Sequence, residues 1–158
     1  MKRPSELTKL VRQRTWDKDV VLWLGTEAGL LNALNHVKSV TLDLLDLFDE
    51  TNLPMDDEET RSLLTRELGK KLRAIPTGPD NRMALIVKSV GLLARYNAGT
   101  SEFYKWFCGD FAIVVLLING VPERTEWPDE IACDTNRLLN YFREPDVVKH
   151  TFAEKGLL

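Results

Sequence analysis

The sequence predicts an all-α domain, a compact bundle of five to seven helices around a buried central helix at about 101–119. Apolar residues recur at steps of three and four along the chain, which is the spacing of an amphipathic helix. All seven prolines fall between these periodic segments, and a proline inside a helix would cost about 3 kcal/mol. We find no alternation of apolar and polar residues of the kind that marks a half-buried strand. Helices are therefore expected throughout.

The central helix is predicted from the segment "CGDFAIVVLLING" at 108–120 and from the residues before it. Its eight consecutive apolar residues, Phe111 to Ile118, are too few to span a membrane, which takes about 20. A buried strand is the alternative for an apolar run of this length. The helical spacing continues upstream, which favours a helix; the spaced residues are Phe103, Phe107, Phe111, Val114 and Ile118.

The other segments are also predicted to be helical, in a single domain over 1–158 with a basic N-terminal segment at 1–15. A long helical pattern covers 17–50, with a kink or break expected at Gly25 and Gly29. The remaining predicted helices are a short basic one at 5–14, then 56–75, 80–97 and 129–143, and a short one after Pro145.

Composition narrows the class of protein. The apolar fraction of 44% and the charged fraction of 28% are ordinary for a globular protein, and the net charge of −3 gives no overall attraction to nucleic acid or anionic membrane. The start of the chain is polar and basic, with no apolar segment of a secretory signal. Cys108 and Cys133 stand alone and are interpreted as reduced thiols, so a cytoplasmic location is expected.

Charge is arranged in blocks along the chain. Residues 41–60 contain eight acids and no base, whereas 61–95 contain eight bases against Glu67 and Asp80. Acids at the start of the helix at 56–75 and bases at its end suit the helix dipole. The acids of the preceding segment do not, because they are predicted to lie in the C-terminal half of the long helix. We therefore expect a non-enzymatic interaction or assembly subunit that meets another protein, or a second copy, through Asp43, Asp46, Asp49 and Glu50.

A first alternative is a sequence-nonspecific nucleic-acid-binding subunit of a larger nucleoprotein complex. Contacts to the phosphate backbone need only cations, and the helices at 56–75 and 80–97 supply them. The candidate residues are Arg66, Lys70, Arg73, Lys88 and Arg95. Aromatic residues for stacking on bases are absent from these stretches.

A second alternative rests on Arg143 and His150. The stretch "REPDVVKH" has the arrangement R-x6-H and resembles the motif of HEPN-type ribonucleases, which are small all-α domains that usually dimerise. The resemblance covers eight residues and implies metal-independent cleavage of RNA. It implies that His150 acts in acid–base catalysis and that Arg143 steadies the phosphate.

We expect no metal and no cofactor. The acid pairs Asp43/Asp46 and Asp56/Glu59 have a spacing that could present oxygen ligands to Mg²⁺, in a manner similar to all-α NTP pyrophosphatases. We interpret them as the solvated side of an amphipathic helix. The turn "TGPDN" at 77–81 has a single glycine and is interpreted as a capping turn, and no segment has the pattern of a phosphate-binding P-loop.

Overall fold

A five-stranded parallel sheet forms the centre of the computed structural model, which describes residues 2–12, 19–35, 37–48, 56–75, 83–105, 111–118, 140–142 and 150–154. The prediction of an all-α bundle is therefore wrong. The strands, all parallel, lie in the order β2-β3-β4-β1-β5. Their bounds are β1 Asp19–Leu24, β2 Lys38–Asp43, β3 Met83–Lys88, β4 Phe111–Ile118 and β5 His150–Ala153.

Helices cover both faces of this sheet. They are α1 Pro4–Arg12, α2 Glu27–Ala33, α3 Asp57–Ala74, α4 Gly91–Arg95 and α5 Ser101–Lys105, with a 3₁₀ turn at Leu44–Leu47 and a helical turn at 140–142. The helices predicted at 5–14 and 56–75 are confirmed as α1 and α3. Most of the helix predicted at 129–143 lies outside the described residues. None of the described helices is long and apolar enough to cross a membrane.

The central helix predicted at 101–119 is wrong, because the chain forms the short helix α5 and then strand β4. The long helix predicted at 17–50 is likewise replaced by β1, α2, β2 and the 3₁₀ turn. Residues 80–97 contain β3 and α4, and the C-terminal segment contains β5 in place of a helix.

Burial on both faces explains why these strands have no alternating pattern. Every residue of β1 from Val20 to Leu24 is at most 2% exposed, and β3 and β4 contain similar runs. A central strand of a parallel sheet is covered by helices on both sides, so its sequence is a continuous apolar run rich in valine, isoleucine and leucine. The helical spacing from Phe103 to Ile118 is therefore a coincidence across two different elements.

Alternate side chains of the strands build two separate apolar cores. Val20, Leu22 and Leu24 of β1 face one core, which includes residues of α3, α4 and α5. Val21 and Trp23 face the other, which includes residues of α1 and α2. These two layers follow from the strand order, because a right-handed crossover from β1 to β2 runs opposite to the crossovers that lead back through β3 and β4.

The N-terminal segment closes the sheet beside β5. Lys2 N donates to Thr151 O at 2.8 Å, and Ala153 N donates to Lys2 O at 2.9 Å. Thr8 Oγ1 then donates to Ala33 O at 2.9 Å, which attaches α1 to the last turn of α2. The start of the chain thus contacts both the last strand and the first crossover helix.

Candidate functional site

Polar residues gather at the carboxyl ends of the parallel strands, an edge of the sheet that we call the carboxyl edge. β1 and β4 are neighbours there, yet the connections that leave them lie on opposite faces of the sheet, because α2, after β1, packs into one core and Phe142, between β4 and β5, packs into the other. This change of face makes a topological switch point. In open α/β sheets, ligands bind in the crevice outside the carboxyl ends of the strands at such a point.

The turn from β1 into α2 lies at the switch point and is fixed by hydrogen bonds. Gly25 N donates to Ile118 O, the last residue of β4, at 3.0 Å. The Thr26 hydroxyl caps α2 by accepting from Gly29 N at 3.0 Å. Trp23 Nε1 donates to Thr26 O at 3.1 Å. The backbone of this turn is therefore fixed by two hydrogen bonds, one to the last residue of β4 and one to the Trp23 side chain of β1.

A carboxylate from the other end of the chain occupies this turn. Glu154 Oε1 accepts hydrogen bonds from Thr26 N at 2.7 Å and from Thr26 Oγ1 at 2.8 Å. The residue is positioned by its own backbone, since Glu154 N donates to Leu24 O at 2.9 Å and so continues the pairing of β5 with β1. The turn thus binds an oxyanion supplied by the same chain.

Two glycines leave the space that this oxyanion fills. A Cβ atom on Gly25 would lie 2.5 Å from Glu154 Oε1, and one on Gly29 would also overlap the carboxylate. Gly25 has a φ of +155°, a conformation that side chains disfavour. We call Gly25, Thr26 and Gly29 the glycine cradle. In the glycine cradle an oxygen atom can approach the backbone closely, because no Cβ atom is in the way.

An ion pair brings a cation to the same region. Lys88 Nζ, at the end of β3, lies 3.2 Å from Glu27 Oε2 in the first turn of α2. Their side chains are 38% and 40% exposed, so the pair contributes at most about 1 kcal/mol to stability. The pair places the ammonium group of Lys88 beside the first turn of α2, next to the glycine cradle.

Asp43 joins the ends of β2 and β3. Ser89 Oγ donates to Asp43 Oδ1 at 2.5 Å, and the same oxygen accepts from Leu45 N at 3.0 Å. Ser89 is 6% exposed and has a φ of 60°, which is unusual for a residue other than glycine. These contacts give Asp43 a structural role at the carboxyl edge.

The predicted partner-binding acids do not share a helix. Asp43 ends β2, and Asp46 is exposed in the 3₁₀ turn that follows. Asp49 and Glu50 lie outside the described residues. The argument from an unfavourable helix dipole therefore fails for Asp43 and Asp46, because the long helix on which it depended does not exist.

The predicted nucleic-acid residues divide among three places. Arg66, Lys70 and Arg73 are exposed on α3, whose 18 residues lead away from the carboxyl edge. Lys88 is paired with Glu27 at the carboxyl edge, as described above. Arg95 Nη1 lies 3.1 Å from Asp57 Oδ2 at the start of α3, about 24 Å along the helix from Arg73. Only the three on α3 share one surface.

Within α3, these cations act on an acid of their own helix. Lys70 Nζ lies 3.3 Å and Arg66 Nε 3.4 Å from Glu67 Oε1. The hydrogen bond from Lys70, followed by the charge of Lys70 and the contacts with Arg66, lowers the pKa of Glu67. Glu67 therefore neutralises part of the positive charge on this surface of α3.

The ribonuclease candidates are separated from the carboxyl edge. His150 is the first residue of β5, at the opposite end of the strand, and its Nδ1 lies 3.0 Å from Lys2 Nζ. Arg143 lies outside the described residues. The parallel sheet also differs from the all-α fold that the HEPN resemblance implies.

One acid of each pair considered for Mg²⁺ accepts local hydrogen bonds. Asp56 Oδ1 accepts from Glu59 N at 2.7 Å at the start of α3, while Asp43 holds Ser89 and Leu45. Across the described ranges, no group of three or more histidine, cysteine, aspartate or glutamate side chains is arranged to hold a metal ion.

The glycine cradle and Glu154 were not among the residues proposed from the sequence. The available signal was the pair of glycines four residues apart, directly after the apolar run "VVLWL". We interpreted the pair as a helix kink, whereas a strand followed by a glycine turn and a helix predicts a ligand-binding turn. Glu154 had no local signal, since its contact with Thr26 spans 128 residues of sequence.

No protein-family model matches the sequence, and no curated protein matches it significantly. The function is therefore inferred from the geometry of the carboxyl edge.

Proposed function

We propose that this chain is a non-enzymatic binding domain that takes a phosphate-bearing small ligand at the glycine cradle. One observation carries the proposal: the cradle holds an oxyanion, the carboxylate of Glu154, through a backbone N–H and a hydroxyl group. A phosphoryl oxygen accepts hydrogen bonds from the same donors. Backbone N–H groups in turns of this kind are common anion-binding elements in proteins.

The position of the cradle supports the proposal. It lies at the switch point between β1 and β4, where ligands of doubly wound sheets bind. The hydrogen bond between Gly25 N and Ile118 O fixes the turn to the sheet, so the donors are oriented before a ligand arrives. A preorganised site loses less entropy on binding.

The charge of the surrounding residues favours a ligand that replaces Glu154 and does not join it. Glu154 in the cradle and Glu27 in the next turn are both acidic, and Lys88 is the cation paired with Glu27. A phosphate added beside both carboxylates would be repelled. When it takes the place of Glu154, one anion exchanges for another and Lys88 remains as the counter-charge.

The test is calorimetric titration of the full chain with inorganic pyrophosphate, ATP and adenosine. We expect the two phosphate-bearing probes to bind and adenosine to give no signal. Thr26→Val removes the hydroxyl donor and should weaken binding by roughly tenfold or more, because a hydrogen bond to a charged group contributes a net of about 1.5–3 kcal/mol. Thr65→Val, on α3 and away from the carboxyl edge, is the matched control. The proposal is wrong if neither the wild type nor a Glu154→Ala variant binds the phosphate probes.

The edge of the sheet supports a second proposal, assembly with another protein or a second copy. β2 is the outermost strand on its side of the described sheet, and Asp46 is exposed immediately after it. A partner with a basic surface would meet both. Nucleic-acid binding through α3 and a cytoplasmic location stay predictions of the sequence.

A further inference from the structure

We infer that α3 binds the phosphate backbone of a nucleic-acid duplex, without reading its sequence, through Arg66, Lys70 and Arg73. We call these three residues the cationic face. The inference goes beyond the proposed function, because α3 and α2 cover opposite sides of the sheet. Leu68 of α3 belongs to one apolar core and Leu30 of α2 to the other.

The helical geometry of α3 places the three cations in one row. At 3.6 residues per turn and 1.5 Å per residue, they lie within about 60° of one another around the axis and about 10 Å along it. The side chains of Arg66 and Lys70 are 64% and 58% exposed, and Arg73 is exposed as well. Leu64 and Leu72 are buried on the other side of the helix. The cations therefore form an exposed row that a phosphate backbone can follow.

Positive charge is concentrated in this part of an acidic chain. Residues 62–74 contain four bases and one acid, whereas the whole chain has a net charge of −3. The rest of the chain is therefore more acidic than the whole. A polyanion is repelled by most of the molecule and attracted by this segment, so the charge distribution orients its approach towards α3.

The other side chains of α3 select the class of polyanion. Proteins that bind single strands combine cations with aromatic side chains that stack on the bases, and α3 contains no aromatic residue. A helix that binds an anionic membrane inserts apolar side chains, whereas the leucines at 64, 68 and 72 are buried in the core. Contacts to a duplex backbone need only cations.

Glu67 sets the strength of this contact. Its Oε1 atom lies 3.3 Å from Lys70 Nζ and 3.4 Å from Arg66 Nε. Both cations have to exchange the carboxylate for phosphate oxygens when a duplex binds. Exposed ion pairs are weak, so phosphates can displace Glu67, but the exchange lowers the affinity.

The experiment is fluorescence anisotropy of the full chain with two labelled DNA duplexes of unrelated sequence and an RNA duplex, over a series of salt concentrations. We expect equal affinity for the two DNA sequences and a slope of log K against log salt of roughly −2 to −3, as for three phosphate contacts. Arg66→Gln, Lys70→Gln and Arg73→Gln should each weaken binding roughly tenfold at low salt and reduce the slope by about 1. Lys9→Gln, an exposed lysine of α1 on the other side of the sheet, is the matched control.

A gain of affinity separates this role from damage to the fold. Glu67→Gln should tighten binding roughly two- to fivefold, because its two ion pairs no longer compete. Glu58→Gln makes the same change of charge about two turns from Arg66 and should have a smaller effect.

The stronger of the DNA and RNA signals identifies the source of the backbone. The inference is overturned if no duplex binds, or if Lys9→Gln weakens binding as much as Lys70→Gln. It is also overturned if a single strand, polyglutamate or vesicles of anionic lipid bind more tightly than the duplexes. None of these results bears on the glycine cradle, which is tested with pyrophosphate.

Discussion

At the scale of single residues, Gly29 shows how a tertiary contact reverses a local preference. Glycine inside a helix is less favourable than alanine by about 1 kcal/mol, so helix propensity alone favours alanine at this position of α2. A Cβ at this position would instead meet the carboxylate of Glu154, which comes from beyond the last strand. A glycine at position 29 therefore leaves the space that the Glu154 carboxylate occupies.

We predict that Gly29→Ala destabilises the protein, because the new methyl group expels Glu154 from its two hydrogen bonds with Thr26. The loss should be about 1–3 kcal/mol in urea unfolding. In a Glu154→Ala background the same substitution should become neutral or stabilising, since helix propensity is then unopposed. Additive effects of the two changes would show that Gly29 and Glu154 do not interact.

At the scale of elements, α3 and β4 explain what apolar spacing can and cannot reveal. Leu64, Leu68 and Leu72 form the buried stripe of α3, and the helix was predicted within a residue of its ends. β4 has no stripe, because both of its faces are buried, and its short apolar run is equally compatible with a helix. The sequence therefore reveals half-buried elements more readily than fully buried ones.

The charged surface of α3 gives a prediction about Glu67. Its carboxyl should titrate below the ordinary glutamate pKa in a proton–carbon NMR experiment, chiefly because Lys70 donates a hydrogen bond to the ionised form. A lowered pKa in the folded state means that this contribution to stability is present above the unfolded pKa and is lost as the pH falls through the folded one. Lys70→Met should return the pKa of Glu67 toward its ordinary value, whereas Lys105→Met on α5 should leave it unchanged. A Glu67 pKa that is insensitive to Lys70→Met would contradict the assignment.

At the scale of the whole molecule, strand order decides where a function can lie. Among the described strands, β1 comes first in the sequence but fourth in the sheet, between β4 and β5. This placement creates the switch point and brings residue 154 to the turn after residue 24. It also leaves β2 at the margin of the described sheet, with Asp46 exposed beside it.

Association through that margin should depend on charge. We predict that self-association or partner capture weakens at high ionic strength and in a triple variant with Asp46→Asn, Asp49→Asn and Glu50→Gln. Asp43 is left unchanged because its carboxylate holds Ser89 and Leu45, so replacing it would disturb the fold. Light scattering after size-exclusion chromatography measures the effect, with Glu58→Gln and Glu59→Gln as a control for lost charge. Molar masses that respond to neither salt nor the triple variant would exclude this surface.

The sequence by itself determined α1 and α3 and the division of charge along α3, because these depend on neighbours three and four residues away. Only the tertiary structure decided that residues 20–24, 83–87 and 113–118 belong to strands, since their burial on both faces comes from helices packed against the sheet. It also decided the glycine cradle. Gly25 and Gly29 can be identified in the sequence, but the carboxylate that lies against them belongs to Glu154. Parallel pairing of β5 with β1 brings Glu154 to Thr26.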